Sequence, residues 1–226
     1  MRHYNIIKYW VKLLHTNENK FNKKIYLTLK SDSEKYPNKV NWCTLLIQLL
    51  GNLGFYEVWL FQEVGHVKLF LKNVKVRLND LFIQGWNGRI QESSRASFYK
   101  HIANFSFQPY LNTCNITKFR YILTRLRVSS HRLYIESGRW ARPNPIPVSD
   151  RKCNICNVLE DEYHFVLECS LFNDLRNMYI QRYYRVRPSM YKLIELFKSD
   201  NPATMRNLST FIYKAFEYRL LNNNRY

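Results

Sequence analysis

The stretch that most constrains this chain is Cys153-Asn154-Ile155-Cys156, followed by His164 and Cys169, a C-x2-C-x7-H-x4-C spacing. Three thiols and one imidazole within seventeen residues match a closed Cys3His zinc set, with Cys153, Cys156, His164 and Cys169 as ligands. The C-x2-C pair lets two sulfurs reach one ion from a single tight turn. The other two ligands must come from the next element, and residues 161–168 read as one short helix. His164 and Cys169 are five apart, which on an uninterrupted α-helix leaves them well round from each other. The helix is therefore expected to end near Cys169, with a new one starting near Ser170. Protein donors fill all four positions, so the Zn2+ is expected to be structural rather than catalytic. Structural zinc in small peptides contributes on the order of 10–16 kcal/mol of apparent binding energy. A buried Leu contributes only about 1.5–3 kcal/mol, and this window holds few core residues, so the metal should dominate its local order.

A chain of 226 residues is enough for one large domain or two small ones. Only six glycines, together with long apolar periodicities, argue against an all-β fold. The expected fold is mainly α: an irregular helical bundle with a small Cys3His zinc module. A formal net charge of +18 points to a polyanionic partner, RNA or DNA ahead of an anionic membrane. The charge is uneven, because residues 150–176 carry six acids (Asp150, Glu160, Asp161, Glu162, Glu168, Asp174) against three bases. Of the five cysteines, three go to the metal, leaving Cys43 and Cys114 as free thiols. That usage fits a reducing intracellular compartment, nucleus or cytoplasm. Lys8 and Lys12 break the N-terminal apolar run, so no signal peptide is expected. No apolar run reaches the roughly 18 residues of a membrane span.

Taken in order, residues 2–14 and 18–30 read as amphipathic helices. Asn41 is the expected N-cap, and Gly54 the stop, of a helix over 42–53. A stripe from Val67 to Phe82 describes a longer helix, which Gly85 and Gly88 should weaken or kink. Arg89 to Phe105 resumes a helical pattern. A helix near 116–128 buries Phe119, Ile122, Leu123 and Leu126, with basic rows on either side of that face. From Lys118 to Arg142 there are seven bases and one acid. Lys118, Arg120, Arg125, Arg127, His131, Arg132, Arg139 and Trp140 are the candidate nucleic-acid contacts, since guanidinium groups suit phosphate and the Trp140 ring can stack on bases. Pro143, Pro145 and Pro147 give a stiff connector. The expected divisions are a basic helical region at 1–142, the Pro-rich connector at 143–149, the zinc module at 150–184 and C-terminal helices at 185–226. Helices are expected near 189–198 and 203–221, with Tyr183, Tyr184, Tyr191, Tyr213 and Tyr218 as packing residues.

The set Leu123-Thr124-Arg125-Leu126-Arg127, His131-Arg132-Leu133, Gly138-Arg139-Trp140, Cys153-x2-Cys156, Glu160-Asp161-Glu162-Tyr163-His164-Phe165, Glu168-Cys169 and Leu175-Arg176 resembles the zinc-binding segment at the C-terminal end of reverse transcriptases from LINE-like (non-LTR) retrotransposons. It covers roughly residues 120–180. The pieces Lys8-Tyr9-Trp10-x2-Leu13-Leu14 and Trp59-x2-Gln62 look similar to the linker that follows the polymerase in such elements. The resemblance implies the same four zinc ligands and nucleic-acid binding in support of target-primed reverse transcription. The chain departs from it at Ser170, where the family often has proline, and it carries no Tyr/Phe-x-Asp-Asp turn and no endonuclease constellation. A retroviral-type zinc knuckle uses the same ligand types, but with a shorter, Gly-rich gap before its histidine.

The expected function is therefore that of a non-catalytic, retrotransposon-derived zinc-binding protein contacting RNA or DNA through the Arg-rich helix. A zinc-stabilised adaptor, docking a protein partner on the acidic window, or an inactive reverse-transcriptase remnant are the alternatives. The remaining histidines (His3, His15, His66, His101, His131) are dispersed and form no catalytic constellation, so neither an enzyme nor a small-molecule substrate is expected.

Overall fold

Apolar stripes at helical spacing become helices over most of the chain. A computed structural model describes residues 2–223, with side chains through Leu221. Its helices are α1 (Arg2–Leu14), α2 (Phe21–Lys35), α3 (Trp42–Asn52), α4 (Tyr56–Phe61), α5 (Val67–Glu92), α6 (Tyr99–Ile102), α7 (Tyr110–Thr113), α8 (Thr117–Arg127), α9 (Tyr134–Ser137), α10 (Asn173–Tyr179), α11 (Arg182–Arg185), α12 (Met190–Lys198) and α13 (Pro202–Asn223). Among the described residues the only β-type pairing is one antiparallel bridge between Lys152 and Leu159. The architecture is thus the expected mainly α one. No described helix is long and apolar enough to cross a membrane.

The chain divides into two compact units at Asn87 and Gly88, a point inside α5. The first unit buries Ile7, Trp10, Tyr26, Leu46, Leu50, Trp59 and Val74 in its own core. Trp10 and Trp59 stack with centroids 5.9 Å apart, and the Trp10 indole N–H donates to the Tyr26 hydroxyl at 3.1 Å. That hydroxyl donates in turn to Gln62 Oε1. Trp10, Trp59 and Gln62 are thus joined through Tyr26. The buried Lys23 ammonium donates to the carbonyls of Leu13 and Leu14, satisfying the end of α1.

Both expected ends of α3 hold. The Asn41 side chain accepts from the Thr44 N–H while the Thr44 hydroxyl accepts from the Asn41 N–H, a reciprocal capping box. At the other end Gly54 sits at φ +79°, the Gly54 N–H donates to Gly51 O, and the Phe55 N–H reaches back to Leu50 O. This is a Schellman stop, which needs the left-handed backbone that glycine adopts freely.

α5 runs on past Gly85 and Gly88, whose lost propensity of about 1 kcal/mol each weakens a helix without stopping it. It ends instead at Glu92, where the Ser93 hydroxyl accepts from the Arg95 N–H and offers the backbone a competing partner. The helical pattern expected over 89–105 is therefore corrected: residues 89–92 complete α5, and 93–105 are mostly irregular, with only the short α6. The Pro-rich run is not a domain boundary. Ile146 donates to Gly138 O, and its own carbonyl accepts from the buried Arg151. Residues on both sides of the run share one core: Phe98, Leu123 and Leu126 before it, with Phe165, Phe172, Leu196, Leu208 and Phe211 after it. The expected 1–142, 143–149, 150–184 and 185–226 divisions give way to this single unit from Gly88, and residues 224–226 lie outside the described residues. Of the tyrosines expected to pack, Tyr184 is buried and Tyr213 half-buried, but Tyr183, Tyr191 and Tyr218 are exposed.

Replacing Asn41 by Ala removes one half of the α3 cap. Chemical denaturation should show the first unit destabilised by about 1 kcal/mol, with metal content unchanged.

Candidate metal centre

The cluster is assembled by a hairpin and a turn. Residues 151–160 double back on themselves: the Cys153 N–H donates to Val158 O, the Asn157 N–H to Cys153 O and the Glu160 N–H to Arg151 O. Asn157 takes the left-handed backbone at φ 55° that closes this loop. Chain reversal aims the Cys153 and Cys156 sulfurs the same way. Asp161 then starts the next turn by accepting the His164 N–H on its carboxylate at 2.8 Å.

From His164 to Glu168 the backbone is π-helical, and the Cys169 N–H donates to His164 O, five residues back, at 2.7 Å. This wider turn solves the spacing problem posed by the sequence. A five-residue separation diverges on an α-helix but comes back to nearly the same side when hydrogen bonds run i to i+5. The turn ends at Cys169, as expected, and a short 3-10 segment, Ser170–Phe172, leads into α10.

Cys153, Cys156, His164 and Cys169 place four ligand atoms within 4.8 Å of one another, a cluster that could hold a metal ion. The Cys169 sulfur lies 3.9 Å from those of Cys153 and Cys156, far beyond the roughly 2.05 Å of a disulfide. Both His164 ring nitrogens are buried without a hydrogen-bond partner. The nearest carboxylate oxygen, on Glu168, stands 3.8 Å from Nδ1, too far to serve. Buried polar atoms rarely stay unsatisfied, so this ring is set up for a partner other than protein. Burial also lowers the His164 pKa, favouring the neutral imidazole that can donate a lone pair.

The sulfurs are prepared unequally. Burial pushes the Cys169 thiol up to about 12, and the neighbouring Cys153 and Cys156 add to the shift. Burial also acts upward on Cys156, but hydrogen bonding from Ser170 outweighs it and the pKa falls below the ordinary thiol value. The Ser170 hydroxyl is 3.3 Å from the Cys156 sulfur, placed to donate to a thiolate.

A surrounding shell fixes these elements. Buried Arg176 donates to Cys169 O at 2.8 Å, to Val166 O at 2.9 Å and to Asn173 Oδ1 at 2.7 Å, satisfying carbonyls that the turn leaves over. Phe165, next to His164, packs on Phe172, Phe211 and Phe216 and so ties the turn to α13. Glu160 accepts from both arms of Arg219 on α13, at 2.9 and 2.8 Å, and from the Tyr134 N–H. Glu162 accepts from Ser129 and from His131, whose Nδ1 accepts the Leu133 N–H and whose Nε2 is therefore the donor. Burial raises the Glu162 pKa, but these bonds outweigh it and hold the carboxyl below its usual value. Arg151 donates to Ile135 O and Ile146 O, and its side chain passes 2.9 Å from where a Cβ on Gly138 would sit. Only glycine fits at 138.

The eight candidate nucleic-acid contacts do not form one surface. Arg127 is 4% exposed, donating to Phe197 O and Gln108 Oε1 beneath the Tyr110 ring. His131 is buried against Glu162. Both are structural, because each replaces solvent with protein partners that charged or polar groups need when buried. Arg120, Arg125 and Arg139 are half-buried and tied to the carbonyls of Leu111, Ser130 and Ser94. Lys118, Arg132 and Trp140 remain exposed, with Arg95 stacked on the Trp140 ring at 4.5 Å. The acidic docking surface expected for an adaptor is likewise reduced, since Glu160 and Glu162 are buried in the pairs above. Sequence reading missed Arg176, Ser170, Glu162 and Asp161. Only Asp161, three residues before His164, carried a legible capping signal. No family model, no curated protein and no solved structure matches this chain.

Cys156→Ser should abolish stoichiometric metal binding, read by native mass spectrometry. Because Cys153, Cys169 and Phe165 belong to the core of the second unit, that whole unit should lose cooperative unfolding, while the first, with its separate core, keeps its own transition. Metal uptake must also displace the proton from Cys169. Proton release should be seen with a pH indicator near neutrality. Apparent affinity should rise with pH, since the raised thiol pKa favours the protonated, non-ligating form in the metal-free chain.

Proposed function

We propose that this chain is a non-catalytic, zinc-stabilised helical protein that binds RNA or DNA, of the kind found at the C-terminal end of LINE-like reverse transcriptases. The observation that carries the reading is the gathering of three sulfurs and an orphaned buried imidazole at one point. A tetrahedron with Zn–S arms near 2.3 Å has edges of about 3.8 Å, close to the 3.9 Å sulfur separations here. Three thiolates and one imidazole are also a soft donor set that suits zinc better than calcium or magnesium. Cys153, Cys156, His164 and Cys169 would hold the ion, which supplies cross-linking charge and no reaction, since four protein donors complete its tetrahedral shell.

Nucleic acid as the partner rests on charge. With 35 Lys and Arg against 17 Asp and Glu, the chain has an excess that its internal pairs do not use up. Lys68, Lys72, Lys75 and Arg77 on α5 are exposed, as are Lys118, Arg132, Arg182 and Arg187 in the second unit. Burial of Arg127 and His131 shifts the expected interface away from the Arg-rich face of α8 towards these open side chains. The retroelement origin rests on the resemblance of residues 120–180 and accounts for the pairing of a metal module with a basic bundle.

The zinc-loaded protein should bind single-stranded and duplex oligonucleotides with an affinity that falls steeply as salt rises, through counterion release. Fluorescence anisotropy over a salt series measures this. Absence of binding at low salt would remove the nucleic-acid reading.

A further inference from the structure

One cleft in the second unit is left unexplained by the metal shell. It has a volume of about 340 Å³ and lies behind the Cys169 turn, lined by Glu168, Asn173, Arg176, Asn177 and Arg185 among others. Two guanidinium groups face it, and neither is ion-paired with a carboxylate. Arg176 gives three of its five N–H groups to Val166 O, Cys169 O and Asn173 Oδ1. Arg185 donates one terminal nitrogen to Asn177 Oδ1, and its Nε–H is buried with no partner at all.

The cleft is rich in donors. Asn173 and Asn177 turn their oxygens to the two arginines, which leaves their amide N–H groups unspent on these bonds. Glu168 is the one carboxylate on the wall, 3.8 Å from His164 on the metal side. Arg182 and Arg187 bracket Arg185 in the chain and are both exposed. An orphan guanidinium N–H in a cleft that holds two arginines and one carboxylate is costly on its own and is relieved by an anion. A tetrahedral oxyanion fits best, because the guanidinium fork offers two parallel N–H groups to a pair of phosphate oxygens.

We propose that the Arg185–Arg176 cleft is a phosphate-binding subsite. Resting on the nucleic-acid reading above, its occupant is a backbone phosphate of RNA or DNA, seated directly behind the turn that carries His164 and Cys169. Arg185 makes the direct contact. Arg176 supplies positive potential while it holds the metal turn.

The test uses the zinc-loaded full chain labelled with nitrogen-15, with inorganic phosphate and a single-stranded oligonucleotide as separate probes. The Nε–H resonance missing from Arg185→Gln is that of Arg185. It should move saturably with each probe. Arg185→Gln should weaken oligonucleotide binding about tenfold at fixed salt, the scale of a lost charged hydrogen bond, with zinc stoichiometry retained as the check on folding. Arg185→Lys keeps the charge but not the fork and should restore only part of the loss. If the resonance stays still with both probes, or Arg185→Gln binds the oligonucleotide as tightly as the parent, the subsite is refuted while nucleic-acid binding stands. If inorganic phosphate moves the resonance but no oligonucleotide binds, the subsite holds for free phosphate and the nucleic-acid reading falls.

Discussion

The constraint on which the second unit turns is the meeting of three sulfurs and a buried imidazole at one point. Ionising Cys169 there is opposed by burial and by the charge of its neighbours, and its thiol is pushed up to about 12. The imidazole, stripped of water and left without a protein partner, carries a matching penalty. A divalent ion held there would relieve both penalties at once. The turn from His164 to Cys169 also presents Phe165 to α13 and Cys169 to the shared core. The gathering of donor atoms and the hydrophobic packing are thus two sides of the same six-residue segment.

Arginine has a second role in this protein beyond surface charge. Arg127, Arg151 and Arg176 are all buried, and each donates to main-chain carbonyls that irregular backbone leaves unsatisfied. A chain with many short helices has many helix ends and therefore many orphan carbonyls. A guanidinium with five donors can serve two or three of them from one position, which ammonium does less well. This explains why a basic run in the sequence overstated the basic surface: part of the Lys118–Arg142 stretch is internal scaffolding.

What could be read from the sequence was whatever depends on local spacing. The four ligands, the Asn41 cap, the Gly54 stop and the helices near 117–127, 190–198 and 202–223 all follow from short-range rules. The misreadings have a common cause, which is that tertiary contacts decide them. Arg127 and Phe197 are seventy residues apart, and Glu160 and Arg219 fifty-nine, so no window of the sequence shows either pair. The prolines of 143–147 look like a linker only when the carbonyl of Ile146 and the reach of Arg151 are unknown.

The π turn between His164 and Cys169 bears on how such a module tolerates change in length. A π turn is an α-helix carrying one additional residue. Losing that residue would repair the helix by every local measure, with tidier hydrogen bonds and no bulge. The same loss would change which donor each side chain meets and would pull the Cys169 sulfur off the shared point. Here the more regular helix is the defective one, because a length change that improves local geometry would scatter the four donor atoms.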